Sequence, residues 1–234
     1  MQPSKKIRKY EQEYHDNLYA TTKLGEKGSW LSSPISSVIN GVNFLNTKNI
    51  SVLDIGCGVG RHCIPIAKEI QDAGGGVIGI DILALAGEKL EENKKNFGVK
   101  KDALFFEKIS IEDYKIEKEQ FDYIIAVSSL EHTENIKTLK KVLKKMTYGT
   151  KKGGINYIII SVDNTLYNPL KNIFLEPMVE KNLQGSEAKK LLDDYYKDWE
   201  IIEYCIKPWQ SIQNNTSEML IQKGNSLRLM CRKK

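Results

Sequence analysis

From about residue 50 the chain alternates short continuous apolar runs with longer segments whose apolar positions recur at helical spacing. Val52–Ile55, Val77–Ile80 and Phe121–Val127 are runs of the first kind, and their density suits strands covered on both faces. Ser51–Ile55, Val77–Asp81, Ala103–Ile109, Phe121–Val127 and Ile155–Val162 are the five strands this pattern predicts. The intervening helices are marked by Cys63, Ala67 and Ile70, then by Ile82, Ala86, Leu90 and Phe97. A further helix runs from about Ile136 to Tyr148, with Leu139, Leu143 and Met146 on its apolar stripe and Lys137, Lys140, Lys141, Lys144 and Lys145 on its wet face. Residues 163–184 read as an irregular insert. Ser186 is placed to cap a helix ending near Tyr196, and Trp199–Ile206 and Ser226–Arg232 read as two closing strands. Residues 1–48 form an extension with Tyr10, Tyr14, Tyr19 and Trp30, a turn-rich centre over 23–29 and a helix over Pro34–Leu45.

Five strands alternating with helices, followed by α-β-β, predict a doubly wound, mostly parallel sheet with helices on both faces. The 234 residues suit one such domain, 49–234, with the extension 1–48 expected to cover the active site. The net charge of +5 comes from dispersed lysines without a dense basic block, which argues for a solvated surface and against nucleic acid. Four cysteines without a CxxC pair indicate neither zinc nor a disulfide framework, and no metal requirement is expected. A polar N-terminus and the lack of an eighteen-residue apolar stretch argue for a cytoplasmic chain, with no membrane, as a monomer or homodimer.

The candidate chemistry sits where the first strand ends. Asp54-Ile55-Gly56-Cys57-Gly58-Val59-Gly60 follows D-x-G-x-G-x-G. Glycines at that spacing let backbone amides close on a ligand where a Cβ would block it, and the next helix turns its positive end toward the same place. The dinucleotide fingerprint G-x-G-x-x-G has a different spacing, and no G-K-[ST] of a phosphate loop is present. One βαβ interval later, Asp81 ends the second strand, where a carboxylate can accept both hydroxyls of a ribose.

This run and Asp81 resemble the nucleotide-binding motifs of class I S-adenosylmethionine-dependent methyltransferases. The resemblance implies a seven-stranded Rossmann-like sheet in the order 3-2-1-4-5-7-6, S-adenosylmethionine as methyl donor, S-adenosylhomocysteine as product and a small-molecule acceptor. It places Gly56, Cys57, Gly58 and Gly60 beneath the amino-acid part and sulfonium of the donor, Asp54 on its ammonium, directly or through water, and Asp81 on its ribose. Ile82 then covers one adenine face. Ile109, Ser110 and Ile111 take the other face and the adenine edge, with Glu112 or Asp113 as alternatives to Ser110. Val127 and Ser128 line the methionine side chain and the acceptor entrance.

Ser128-Ser129-Leu130-Glu131-His132 follows the fourth strand in place of the Asn/Asp-Pro-Pro-aromatic block of base-methylating enzymes. His132 is the candidate general base; His62 is placed beside the glycine loop and His15 in the extension. Trp30, Tyr167 and Trp209 are candidate pocket walls. Thr150–Ile158, Asp163, Tyr195–Glu200 and the ending Cys231-Arg232-Lys233-Lys234 resemble the tellurite-resistance methyltransferases of the TehB type. That narrower resemblance implies tellurite as acceptor; within the class two reactions stay open, transfer to a thiolate or a tellurium or selenium oxyanion, which needs no base, and transfer to an alcohol or amine, whose proton His132 would take. The chain departs from it between Gln210 and Leu227, which hold no His or Arg and only Lys223. Two other readings stay open: a non-catalytic adenosylmethionine-binding module and a nicotinamide-dependent oxidoreductase.

Overall fold

The computed structural model describes residues 3–215 and 218–234. Strands β1 (Ser51–Ile55), β2 (Gly76–Asp81), β3 (Leu104–Lys108), β4 (Phe121–Val127), β5 (Thr150–Asn168), β7 (Glu200–Asn215) and β8 (Glu218–Arg232) lie in the order β3-β2-β1-β4-β5-β8-β7, with β6 (Ile173–Leu175) pairing off this path onto β5. The first five strands run parallel, and β8 runs antiparallel to both of its neighbours, β5 and β7. Allowing for the extra β6, this is the order expected from the sequence. The strand order reverses between β1 and β4, and their C-terminal ends therefore frame a crevice.

The helices are α1 (Pro3–Thr21), α2 (Ser36–Ile39), α3 (Cys63–Ile70), α4 (Ala84–Asn96), α5 (Ile136–Gly149) and α6 (Gly185–Tyr196). The two sheet faces bury different helices because strand residues alternate sides. Leu53, Ile55, Ile124 and Ile158 meet α5 and α6 through Leu139, Leu143, Met146, Leu191 and Tyr196. Val52, Ile125, Tyr157 and Ile159 meet α2 and α3 through Val38, Cys63, Ile66 and Ile70. Tyr19 and Leu31 pack on Val59, Leu83 and Ala86, and that small cluster fixes the end of α1 over the glycine loop.

Four expectations are corrected. The helix predicted over Pro34–Leu45 is only the single turn α2 followed by a 3-10 turn at Asn40–Phe44. Its Val38 carbonyl accepts the Tyr123 hydroxyl at 2.8 Å, and a Cβ on Gly41 would run into that same hydroxyl. Tertiary packing on Tyr123 thus sets the backbone here against local periodicity. The strands β5, β7 and β8 are far longer than the sequence reading, since their outer halves are largely polar and carry no apolar run longer than Met219–Ile221. Much of the supposed irregular insert 163–184 is therefore strand. The cap of α6 is Gln184, in a reciprocal capping box with Glu187, and not Ser186. Finally, Ile82 and Phe97 are exposed, so the buried stripe of α4 rests on Ala86 and Leu90.

Candidate active site

The C-terminal ends of β1, β2 and β4 open onto a cavity of about 530 Å³. Gly56, Cys57, Gly58 and Val59 form its floor. Asp81, Ile82 and Leu83 form one wall, Ile109, Ser110 and Ile111 a second, and Val127, Ser128, Ser129 and His132 a third. The roof is α1, which contributes Arg8, Glu11, Gln12, His15 and Tyr19, joined by Trp30. Helix α1 earns this position by its aromatic stripe: His15, Tyr19 and Trp30 meet edge-on or tilted at centroid distances of 5.5–6.5 Å.

The floor depends on left-handed glycines. Gly56 and Gly58 have φ of +71° and +53°, and a Cβ on Gly56 would lie 2.6 Å from the Ser129 Cβ. The loop is tied to the second wall by Asp81. Its two carboxylate oxygens accept the Gly58 and Leu83 amides, each at 2.9 Å. Each oxygen keeps a lone pair for an outside donor. Burial raises the Asp81 pKa against these amide bonds. Ile82, 55% exposed, adds apolar surface to the cavity, as do Ile109 and Ile111.

Two of the expected donor-site residues stand behind the cavity lining. Gly60 packs on Ile64, and Asp54 lies beneath the loop, 2% exposed, with Oδ2 lacking any hydrogen-bond partner. Burial, with Asp81 adding, raises the Asp54 pKa to about 7 despite the Cys63 amide that donates to it. An orphaned buried carboxylate oxygen beside a glycine cradle calls for a cation, and the ammonium of an amino acid is one. His62 Nε2 and Ser129 Oγ are two further buried polar atoms without partners around the loop. Burial, with Arg61 adding, lowers the His62 pKa to about 3, so its ring is neutral near pH 7. These groups and the Asp81 wall fit an adenosylmethionine-like ligand.

An acidic-histidine network closes the other end. His132 Nδ1 donates to Glu180 Oε2 at 2.9 Å, and Arg8 reaches Glu180 and Glu112 at 3.8 and 3.2 Å. Burial opposes a charge on His132, yet the Glu180 hydrogen bond and the Glu131, Glu11 and Glu180 charges outweigh it and raise its pKa to about 9. At pH 7 the ring is an imidazolium and has no lone pair to take a proton. Glu131 is buried, accepts the Ser161 amide and leaves Oε2 unpartnered; burial raises its pKa against the pull of His132.

Ser110 lines the cavity but is engaged with Asp113, donating to its carboxylate at 2.6 Å and accepting its amide at 3.1 Å. Glu112 also lines the cavity and accepts from Arg8 and the Glu134 amide. Asp113 does not line it. Of the three aromatic walls expected from sequence, Trp30 is present and Tyr167 and Trp209 are not. Tyr167 stacks on Phe174 at 5.1 Å, and Trp209 packs over Gly224, both out on the antiparallel arm where the longer strands carry them. Sequence reading missed Arg8 and Glu180. The charge spacing of α1 carries a weak trace of the first; nothing local marks the second, which lies in a loop.

The Asp54 geometry gives a pH prediction. If its Oδ2 holds the donor's ammonium, binding must drive Asp54 to its charged form. Affinity for S-adenosylhomocysteine is then expected to rise about threefold to tenfold from pH 6 to pH 8. Calorimetry at the two pH values checks it, and the Asp54→Asn variant should bind with a flat profile.

Comparison with known proteins points the same way as the geometry. Residues 46–224 match the sequence family described as a methyltransferase domain. A ubiquinone biosynthesis O-methyltransferase of Pelagibacter ubique (strain HTCC1062) is 34% identical over 118 residues, 47% of this chain and 42% of that protein. The matched region thus spans less than half of this curated relative. Among solved structures, TehB from Haemophilus influenzae superposes with a TM-score of 0.63 at 22% identity, over 86% of this chain and 62% of that one. Magnesium protoporphyrin IX methyltransferase from Synechocystis PCC 6803, solved with bound SAM, covers 98% of this chain and 83% of its own at 16% identity and a TM-score of 0.51. At these identities the two structures establish the fold alone.

Proposed function

The chain belongs to the methyltransferase-domain family, and from that premise we propose that it moves the methyl group of S-adenosylmethionine onto a small molecule seated under α1. The observation that carries this reading is the single cavity running from Asp81 and Ile82 past the glycine loop to Ser129 and His132. One end suits a nucleoside and the other has room for an acceptor.

When bound, the cofactor supplies an electrophilic methyl on a sulfonium. Asp81 accepts the ribose hydroxyls with its free lone pairs. Ile82 covers one face of the adenine, and Ile109 and Ile111 the other. Ser110 presents its remaining lone pair to the adenine edge. The backbone of Gly56, Cys57 and Gly58 passes beneath the amino-acid part, Gly60 lets α3 close in behind it, and Asp54 Oδ2 accepts from the ammonium. Val127 and Ser128 flank the methionine side chain. Helix α1 keeps water out and holds the acceptor against Ser129 and His132.

The charge state of His132 bears on the acceptor. An imidazolium held by Glu180 favours a nucleophile that arrives already deprotonated, such as a thiolate or a chalcogen oxyanion of the tellurite type. For such a nucleophile, orientation and desolvation can lower the barrier by about 7–11 kcal/mol without a base. The test has two parts. Calorimetry with S-adenosylhomocysteine should show one site per chain, and absence of binding would overturn the reading. Incubation with methyl-labelled cofactor and a metabolite extract should then release label into a small molecule; binding without transfer would leave a non-catalytic module. Once an acceptor is known, His132→Gln should leave the shape of the pH profile near neutrality unchanged, and loss of a limb with a pKa near 7 would identify His132 as a base.

A further inference from the structure

Strand β7 is an edge of the sheet, and its residues alternate in character. Glu203, Cys205, Lys207 and Ser211 take one face; Tyr204, Ile206, Pro208 and Ile212 take the other. An antiparallel strand with this alternation normally has its apolar side covered. The register identifies that side. Tyr204 and Ile206 lie opposite Leu229 and Leu227 of β8, which are buried with Ala188 and Leu191 of α6. The cover does not extend to β7, where Tyr204 and Ile206 stay exposed.

The same face continues onto the arm beyond the end of β4. One row there crosses four strands: Phe174 of β6, Tyr167 of β5, Ile221 of β8 and Ile212 of β7. Met219 lies two residues along β8 from Ile221 and therefore on the same side. Tyr167 and Ile221 are half-buried, while Phe174, Ile212 and Met219 are exposed. With Tyr204 and Ile206, these exposed side chains show between 36% and 74% of their surface. At roughly 200 Å² for a large side chain, the five present about 500 Å² of apolar surface. Single exposed apolar residues are ordinary, but a patch of this size on one face is of the kind proteins use for contacts.

We propose that this face of β7 and the arm is where two copies of the chain pack together, sheet on sheet about a two-fold axis. Three observations select a second copy. Pro208 stands mid-strand opposite Asn225, and a proline in a ladder turns its hydrogen-free nitrogen outward. A peptide strand added along β7 would lose a backbone bond there, so the occupant lies on the face and not along the edge. The rim carries both signs of charge: Lys189 of α6 sits 5.4 Å from the Tyr204 ring centre and pairs with Asp193, and Lys223 lies opposite Gln210 on the same face of the arm. Mixed charge suits a surface that meets its own copy and disfavours a polyanion or an anionic membrane. Finally, a two-fold contact lays the patch on itself. It buries about 1,000 Å² of apolar surface in all, the lower bound for a stable interface, before the polar rim is added. The inference is independent of the reaction and of the cavity.

Sedimentation velocity of the full chain over a concentration series tests this. The chain is expected to run as a dimer at about 20 µM, with a dissociation constant of about 1 µM or below. Ile212→Lys and Phe174→Lys should each weaken the dimer at least tenfold, because each sets a charge in the middle of the apolar row. Ile173→Lys is the control. Ile173 belongs to the same strand as Phe174 and is also exposed, but it pairs with Asn168 on the opposite face. Its variant should dimerise within twofold of the parent chain. Thermal melts followed by circular dichroism show that each variant is folded. A monomer at about 100 µM overturns the proposal, and co-pelleting of that monomer with phosphatidylserine vesicles would give the face to a lipid surface instead. A dimer that survives both Ile212→Lys and Phe174→Lys uses another face, and one that Ile173→Lys weakens equally depends on the arm's integrity; either result overturns the proposal.

Discussion

Asp81→Ala is expected to weaken S-adenosylhomocysteine binding about 100-fold. The carboxylate stands at the tip of β2 with one lone pair free on each oxygen, the other two being used by the Gly58 and Leu83 amides. Two ribose hydroxyls donating to a charged acceptor are together worth roughly 3 kcal/mol after their desolvation, and that figure is about two decades in affinity. Part of the loss comes through the protein, because the same oxygen holds Gly58 in the loop floor. Asp81→Asn separates the contributions. It keeps one good acceptor and most of the shape, so a loss of about tenfold is expected. Thermal stability should fall by no more than about 1 kcal/mol in either variant, since burial already disfavours the charged side chain without ligand. Calorimetric affinities within threefold of the parent protein for Asp81→Ala would remove Asp81 from the site.

Gly56→Ala is expected to lower stability by about 2–3 kcal/mol and to weaken cofactor binding at least tenfold. Two effects add. The residue sits at φ +71°, where an L side chain meets its own backbone at about 1–2 kcal/mol. Its Cβ would also lie 2.6 Å from the Ser129 Cβ, an atom one bond from the main chain and unable to swing away. The loops after β1 and β4 must then move apart, and those loops carry the floor and the third wall of the cavity. For a chain of this length the melting temperature should drop by roughly 5–10 °C. Adding Ser129→Gly to Gly56→Ala removes the collision and leaves the dihedral strain, so about half of the lost stability should return. A double variant no more stable than Gly56→Ala would show that the contact with Ser129 does not set the loop.

Several features of this protein could be read before any coordinates. The strands β1, β2 and β4 were visible as dense apolar runs because they are covered on both faces, and the glycine spacing fixed where the ligand loop had to be. The periodic stripe of α5 carried its own signal through Leu139, Leu143 and Met146. The outer halves of β5, β7 and β8 gave no such signal. Their pairing is through backbone hydrogen bonds along polar sequence, and backbone groups leave no residue-type signature. The long helix expected at 34–45 failed for the opposite reason: periodicity was present, but the Tyr123 hydroxyl and the close approach at Gly41 decided the backbone.

The site divides in the same way. Asp54, Gly56, Gly58 and Asp81 lie within one βαβ unit, where local chain geometry forces them together, so their spacing in sequence is their spacing in space. His132 could be named as a candidate, but its charge could not, because the groups that hold its proton against burial are chiefly Glu180, forty-eight residues later, and Glu11 on α1, with Glu131 beside it. Arg8 over Glu112 is likewise a contact across more than a hundred residues. The sequence by itself determined the sheet and the glycine loop, since both follow from short-range periodicity and fixed turn geometry. Only the tertiary structure decided the charge and shape of the cavity around His132, because burial and the meeting of distant side chains set them.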